Sequence, residues 1–249
     1  MKKSILMSSL FLATALVSQS ALAEIKVRAG VASSTYKLSG DYLEGKSDYK
    51  PTNFGLTFSS DSGMYLDLAF SGGTGTHDVR NDPVYAPFQS ASESFKREDA
   101  ALIGGASFLN QNNGIAGTFY VGIKTGKTTL GCGISCVTRT SETLTTSGVV
   151  FGGGASFPVA SGRAGSVGVN LGIGVMGNKW EASEGASATA ETAVGFSFGV
   201  SYTYPITSNF GVIADYKGNY YSYNFGDSNN PFKVNESVSA LGASLYAKF

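Results

Sequence analysis

From Ile25 onward, apolar and polar residues alternate in short runs. Ile25, Val27, Ala29 and Val31 are separated by Lys26, Arg28, Gly30 and Ala32. Successive side chains of a strand point to opposite faces, so such a run reads as a strand with one apolar face and one small or polar face. Phe54, Leu56 and Phe58 form a second stripe, and Met64, Leu66, Leu68 and Phe70 a third. The fourth, around Ala100 to Leu109, is apolar on both parities, and its faces stay unassigned. Ile115, Phe119, Val121 and Ile123 mark the fifth; the sixth, Val149 to Phe157, carries Gly152 and Gly154 on its inner parity. Val167 to Val175, Val194 to Tyr204, Phe210 to Tyr216 and Leu241 to Phe249 complete about ten predicted strands. Each stripe has roughly the 9–11 residues a tilted strand needs to cross a bilayer. No window shows a 3.6-residue period, so no helix is predicted past the N-terminal segment.

The connections alternate as well. Ser60–Gly63, Gln111–Gly114, Ala160–Arg163 and Pro205–Ser208 are short turns of Gly, Asn, Asp, Ser and Pro. Between them lie longer polar segments at 39–50, 72–96, 126–144, 178–190 and 221–235, expected as loops. Short turns at one end and long loops at the other resemble a bacterial outer-membrane β-barrel, and an even strand number is what a single-chain barrel of that kind requires. The C-terminus carries the same resemblance: an alternating last strand ending on Phe249 is similar to the terminal strand that the barrel-assembly machinery reads in that class. The resemblance covers the mature chain as architecture and points to no particular family. It implies an all-β, transmembrane, antiparallel up-and-down barrel of about ten strands, with eight or twelve as alternatives. It also implies outer-membrane lipid and lipopolysaccharide around the wall, periplasmic chaperones as assembly partners, and both termini in the periplasm.

The N-terminus fits export. Lys2 and Lys3 precede an apolar run from Ile5 to Val17, too short for the roughly 20 residues of a membrane-spanning helix, and Ala21-Leu22-Ala23 is a small-residue cleavage site. Residues 1–23 are expected as a signal peptide cut between Ala23 and Glu24, leaving 24–249 as one barrel domain of 226 residues (249 minus 23).

Composition sharpens this. Gly numbers 33 of 249 residues and charged residues are 14%, a glycine share well above the usual 7% or so. Without the two leader lysines the chain has 16 basic and 18 acidic residues, a net charge of −2, which argues against a nucleic-acid partner. On a barrel wall the apolar stripe would face lipid and the other stripe the lumen, with Tyr202, Tyr204, Phe210, Tyr216 and Phe249 near strand ends as an aromatic girdle. The inner parity then holds Lys26, Arg28, Asp67, Lys124, Asp215, Lys217 and Lys248, with Asp99 depending on the fourth strand. Buried charges are costly unless paired or hydrated. They are expected either to neutralise one another in a filled lumen, Asp67 and Asp215 against Lys26, Arg28 or Lys217, or to line a narrow ion path. Small barrels are usually filled by side chains, whereas a glycine-rich wall fills little; both readings stay open.

Cys132 and Cys136 fall in the third long segment, where a small disulfide ring is expected in an oxidising compartment. No cofactor or metal is expected. Outer-membrane enzymes generally use a histidine base, and this chain has one, His77, expected as a solvated loop residue. The aspartate–histidine arrangements of the omptin-type proteases are not matched, nor is the His-x-Ser of the lipid A 3-O-deacylases, since residue 79 is Val. Gly122–Thr128 looks like a phosphate-binding loop but is one residue short and runs off a strand. Aromatic residues in the long segments, Tyr42, Tyr49, Tyr85, Phe88, Trp180, Tyr220, Tyr221, Tyr223 and Phe225, could contact an extracellular ligand, form the upper girdle or pack within loops. The expectation is therefore a monomeric surface protein without catalysis, structural or adhesive, with a narrow channel as the alternative and an enzyme behind both.

Overall fold

The computed structural model describes residues 22–40, 44–80, 91–110, 112–131, 141–160, 164–190, 192–225 and 232–249. Twelve strands occupy them: β1 (Leu22–Gly40), β2 (Glu44–Tyr49), β3 (Thr52–Ser60), β4 (Met64–Arg80), β5 (Ala91–Leu109), β6 (Ala116–Gly131), β7 (Ser141–Pro158), β8 (Ser166–Ala182), β9 (Ser187–Thr189), β10 (Ala193–Pro205), β11 (Phe210–Phe225) and β12 (Phe232–Lys248). Every pairing is antiparallel, and β12 pairs back onto β1 from Lys26↔Lys248 to Gly40↔Val234. The sheet is closed, so no edge exposes unpaired backbone groups to lipid.

Two of the ten staves are broken strands. β2 and β3 keep one register against β4, Tyr49↔Gly75 and Thr52↔Gly72. Pro51, which has no N–H to give, interrupts the ladder between them, while its carbonyl accepts from Ala32 N at 2.9 Å. β9 and β10 are separated by a bulge: Thr189 pairs Lys179 and Ala193 pairs Met176, four steps against three. Ala23 is the extra residue of a third irregularity, between Leu22↔Ser60 and Glu24↔Ser59. Residues 1–21 of the expected leader lie outside the described residues. At the other terminus Phe249 extends the closing pair, exchanging backbone hydrogen bonds of 2.9 and 3.0 Å with Ile25.

We call the end with the termini and the four short turns the near end, and the opposite one the far end. The staves run much further toward the far end than their apolar stripes. The segments 39–50, 72–96, 126–144, 178–190 and 221–235, expected as loops, are largely strand. At the far end the staves are linked through 41–43, 81–90, 132–140 and 226–231, which lie outside the described residues, and through a turn at 183–186.

The reason is an inversion of the hydrophobic pattern within each stave. Near the near end the outward side chains are apolar and exposed, as with Val31 and Leu171, at 61% and 59%. Beyond Val31, β1 turns Ser33, Thr35, Lys37 and Ser39 outward and buries Ser34, Tyr36 and Leu38 inside. β11 changes phase likewise, from outward Val212 and Tyr216 to inward Tyr221, Tyr223 and Phe225. In the first zone lipid covers the wall; in the second, water does, and the barrel's inside becomes an ordinary apolar core. Tyr202, Tyr204, Phe210 and Phe249 are exposed around the near rim of the apolar zone and Tyr216 toward its far rim. Register also gives β5 its faces: Leu102 lies between Leu68 and Ile123 and points outward with Ala100, Gly104, Ala106 and Phe108, whereas Asp99, Ala101 and Ile103 point inward.

Candidate functional site in the barrel lumen

The near half of the lumen is walled by small residues, but those residues are covered. Tyr120 reaches over Gly152 and, with its hydroxyl, over Gly172, the hydroxyl donating to Leu171 O at 3.2 Å. Tyr65 covers Gly105, Tyr246 covers Gly211, and the Arg28 guanidinium covers Gly55; further toward the far end, in the row of Glu236, Tyr221 covers Gly195. A Cβ on any of these glycines would overlap the side chain above it. The glycine-rich wall is therefore a set of seats for long side chains from neighbouring staves. It is not an empty surface.

The charges expected in the lumen sit among these seats. Arg28 pairs with Asp67 at 2.5 Å, and Thr57 donates to the same carboxylate oxygen at 2.5 Å. Asp215 and Lys217 are 3.4 Å apart, and Lys217 keeps 58% of its side chain exposed although it points inward, so there is room for solvent around it. Lys26 lies over the Tyr246 ring at 5.1 Å, Lys248 meets Glu24 at 2.9 Å, and Lys124 donates to Asn219 at 3.1 Å.

Above them the lumen is crossed. Arg97 on β5 reaches Glu236 on β12, nearly opposite in strand order, with Nη1–Oε1 at 2.6 Å. The same guanidinium grips Asp99 with two bonds of 2.9 Å and donates to Thr128 on β6 at 2.8 Å. Glu236 also accepts from Thr146 on β7 at 3.1 Å and from Tyr223 on β11 at 3.2 Å, and Asn178 on β8 donates to Thr146 at 3.4 Å. The Tyr36 ring of β1 lies 5.2 Å from the guanidinium carbon. Arg97 and Glu236 keep 5% and 1% of their side-chain surface exposed. Burial works against the charge on Arg97, but the carboxylates of Asp99 and Glu236 outweigh it and raise its pKa further. Around this network Tyr36, Tyr49, Phe95, Leu130, Leu144, Met176, Tyr221, Tyr223, Phe225 and Val234 pack as one apolar cluster. Burial pushes the Tyr49 phenol up to about 12.

Tyr49, Tyr221, Tyr223 and Phe225, expected on loops, thus belong to this plug, and Trp180 packs against it half-buried. Tyr220 points outward and is 48% exposed. Tyr42, Tyr85, Phe88, Cys132 and Cys136 lie outside the described residues. Sequence reasoning passed over Arg97 and Glu236 because they border segments taken as loops. Their inward parity would have marked them once those stripes were continued.

His77 is likewise corrected. It belongs to β4, is 1% exposed, and its Nδ1 lies 2.6 Å from the Ser47 hydroxyl on β2, with Glu93 directly cross-strand on β5. A hydroxyl beside an imidazole is the pairing of a base-activated nucleophile; here both partners are buried, Ser47 also at 1% exposed, in a row further toward the far end than the ion network. Among the described residues no three His, Cys, Asp or Glu are grouped to hold a metal ion.

No family model and no curated relative matches the chain. Solved structures do. The outer membrane protease OmpT from Escherichia coli aligns with a TM-score of 0.65 over 93% of this chain and 98% of that one, at 11% identity. The translocator domain of the autotransporter NalP from Neisseria meningitidis gives 0.48 over 100% and 96%, at 11% identity. Neisserial surface protein A gives 0.42 over 90% and 97%, at 12% identity. At such identities likeness speaks for fold alone. The likeness to OmpT, together with the closed wall and its exposed apolar zone, makes this chain an integral β-barrel of the outer-membrane kind.

Proposed function

We propose that the protein is a closed, non-catalytic barrel whose near end faces the periplasm and whose far end projects from the cell as a surface for structural contacts or ligand binding. The observation that carries this is the Arg97–Glu236 crossing inside an apolar plug, which makes the far half of the barrel a folded core. The far wall beyond the lipid zone is long: β1 continues from Val31 to Gly40, roughly 30 Å of strand. Its exposed outward side chains are Ser, Thr and Lys, as a water-facing surface requires. On this reading the partners are the lipid and lipopolysaccharide around the wall, the assembly machinery that meets Phe249, and an extracellular ligand at the far connections.

The test is a binding assay on intact cells in which residues 132–140 and 226–231 are replaced by short Gly/Ser links. Loss of cell-surface binding with unchanged barrel assembly supports the reading. Unchanged binding, or hydrolysis of a lipid or peptide that His77→Ala abolishes, contradicts it. A narrow channel has one observation in its favour, the room for solvent around Lys217 in the near half, and would need Arg97 and Glu236 to part.

A further inference from the structure

The outer wall is not uniform where the lipid-facing zone ends. Register aligns three outward rows across β3, β4, β5 and β6. Phe54, Phe70, Ala100 and Thr125 form the lowest, and Thr52, Gly72, Glu98 and Lys127 the next. Above them Lys50, on the ladder gap between β2 and β3, faces Thr74, which pairs with Lys96. Gly72 contributes no side chain, and a groove of about 490 Å³ opens there, with Phe54 and Phe70 at its base and Glu98 and Lys127 at its rim. Glu98 pairs with Lys96 at 3.0 Å. Among the outward side chains of these rows, Lys127 on the groove and Lys50 and Lys96 in the row above it stand against Glu98, a charge of +2 (three minus one); Asp99 also borders the groove, but its carboxylate is held by Arg97 inside the barrel. On the opposite wall the exposed Lys179 is matched by Glu181 at 2.5 Å.

We infer that this groove binds a phosphorylated lipid of the surrounding leaflet, an acyl chain lying over Phe54 and Phe70 and a phosphate among Lys50, Lys96 and Lys127. The base of the groove continues the apolar zone that acyl chains already cover. Its lysines stand just beyond that zone, at the height of headgroups, where basic side chains attract anionic lipid. Lysine meets phosphate as a point charge and needs no fixed fork geometry, which suits three exposed, flexible side chains. Glu98 sets a limit on the site, since it repels a phosphate unless Lys96 stays paired with it.

The inference rests on the membrane reading above. The full chain, folded in zwitterionic detergent, is mixed with lipid A, with phosphatidylcholine or with inorganic phosphate, and retained ligand is counted by native mass spectrometry. Lipid A is retained and phosphatidylcholine is not. The triple variant Lys50→Gln, Lys96→Gln, Lys127→Gln weakens retention at least about tenfold. Gly72→Val weakens it too, because the side chain fills the groove; its Cβ meets only Arg97 O at 3.8 Å and Glu98 Cγ at 3.9 Å, so the wall accepts it. Equal retention by wild type and the triple variant overturns the inference, as does saturation of the lysines by inorganic phosphate without lipid. Cell fractionation keeps the two readings apart. A chain recovered outside the membrane sinks the membrane reading, while an outer-membrane chain that retains no lipid A sinks this inference alone.

Discussion

Glu236 shares its carboxylate among Arg97, Thr146 and Tyr223, so removing its charge leaves a buried guanidinium short of a partner. Breaking one side of such a pair costs about 3–5 kcal/mol, whereas replacing both by apolar groups of similar size is often neutral. Glu236→Gln should therefore lower stability by roughly that amount, and Arg97→Met, Asp99→Leu and Glu236→Leu together, which leave no charge of the network without its partner, should recover most of it, read from urea unfolding in detergent. Tyr49 supplies a pH test. Its pKa, about 12 in the fold against an ordinary 10, is raised. Its contribution is thus fully present below pH 10 and lost as pH rises through 12. Alkaline unfolding should begin in that window and shift upward in Tyr49→Phe; an unshifted midpoint would show that the phenol plays no part. Glycine is where residue-scale reading from sequence left two readings open. A glycine-rich wall fills little by itself, and only the neighbouring staves reveal Tyr120 lying over Gly152 and Gly172 and Tyr221 over Gly195.

At the scale of the strand, alternation was legible wherever lipid is the outside solvent. There outward residues must be apolar, and Val167 to Val175 or Phe119 to Ile123 announce themselves. Past the lipid zone the apolar parity switches from outside to inside, and a stripe that changes phase looks like a stripe that stops. That is why β1 beyond Val31 and β11 beyond Tyr216 were not followed as strand, why 39–50 and 221–235 were expected as loops, and why Tyr36 and Tyr223 were not placed in a core. The switch has a measurable consequence. Leu171→Lys, in the middle of the apolar stripe of β8, should cost about 2–4 kcal/mol in lipid vesicles. Thr76→Lys, at an exposed outward position of β4 on the far wall between Asp48 and Ser94, should stay within about 0.5 kcal/mol, as exposed polar substitutions do. Equal costs would mean that lipid covers both zones, or neither.

For the whole molecule, closure and stave number followed from the alternation of turns and longer segments and from Phe249, which completes the ladder with Ile25. The state of the lumen did not. It depends on which side chains meet across the barrel, and Arg97 and Glu236 lie 139 residues apart in sequence. Their meeting divides the barrel into a near half with room for solvent around Lys217 and a packed far half, and the division is the central claim. Planar-bilayer recording of the purified chain tests it most directly. A barrel closed by the Arg97–Glu236 plug gives no discrete current steps. Stepwise conductance in the wild type that shifts when Asp67 or Asp215 is neutralised would contradict it.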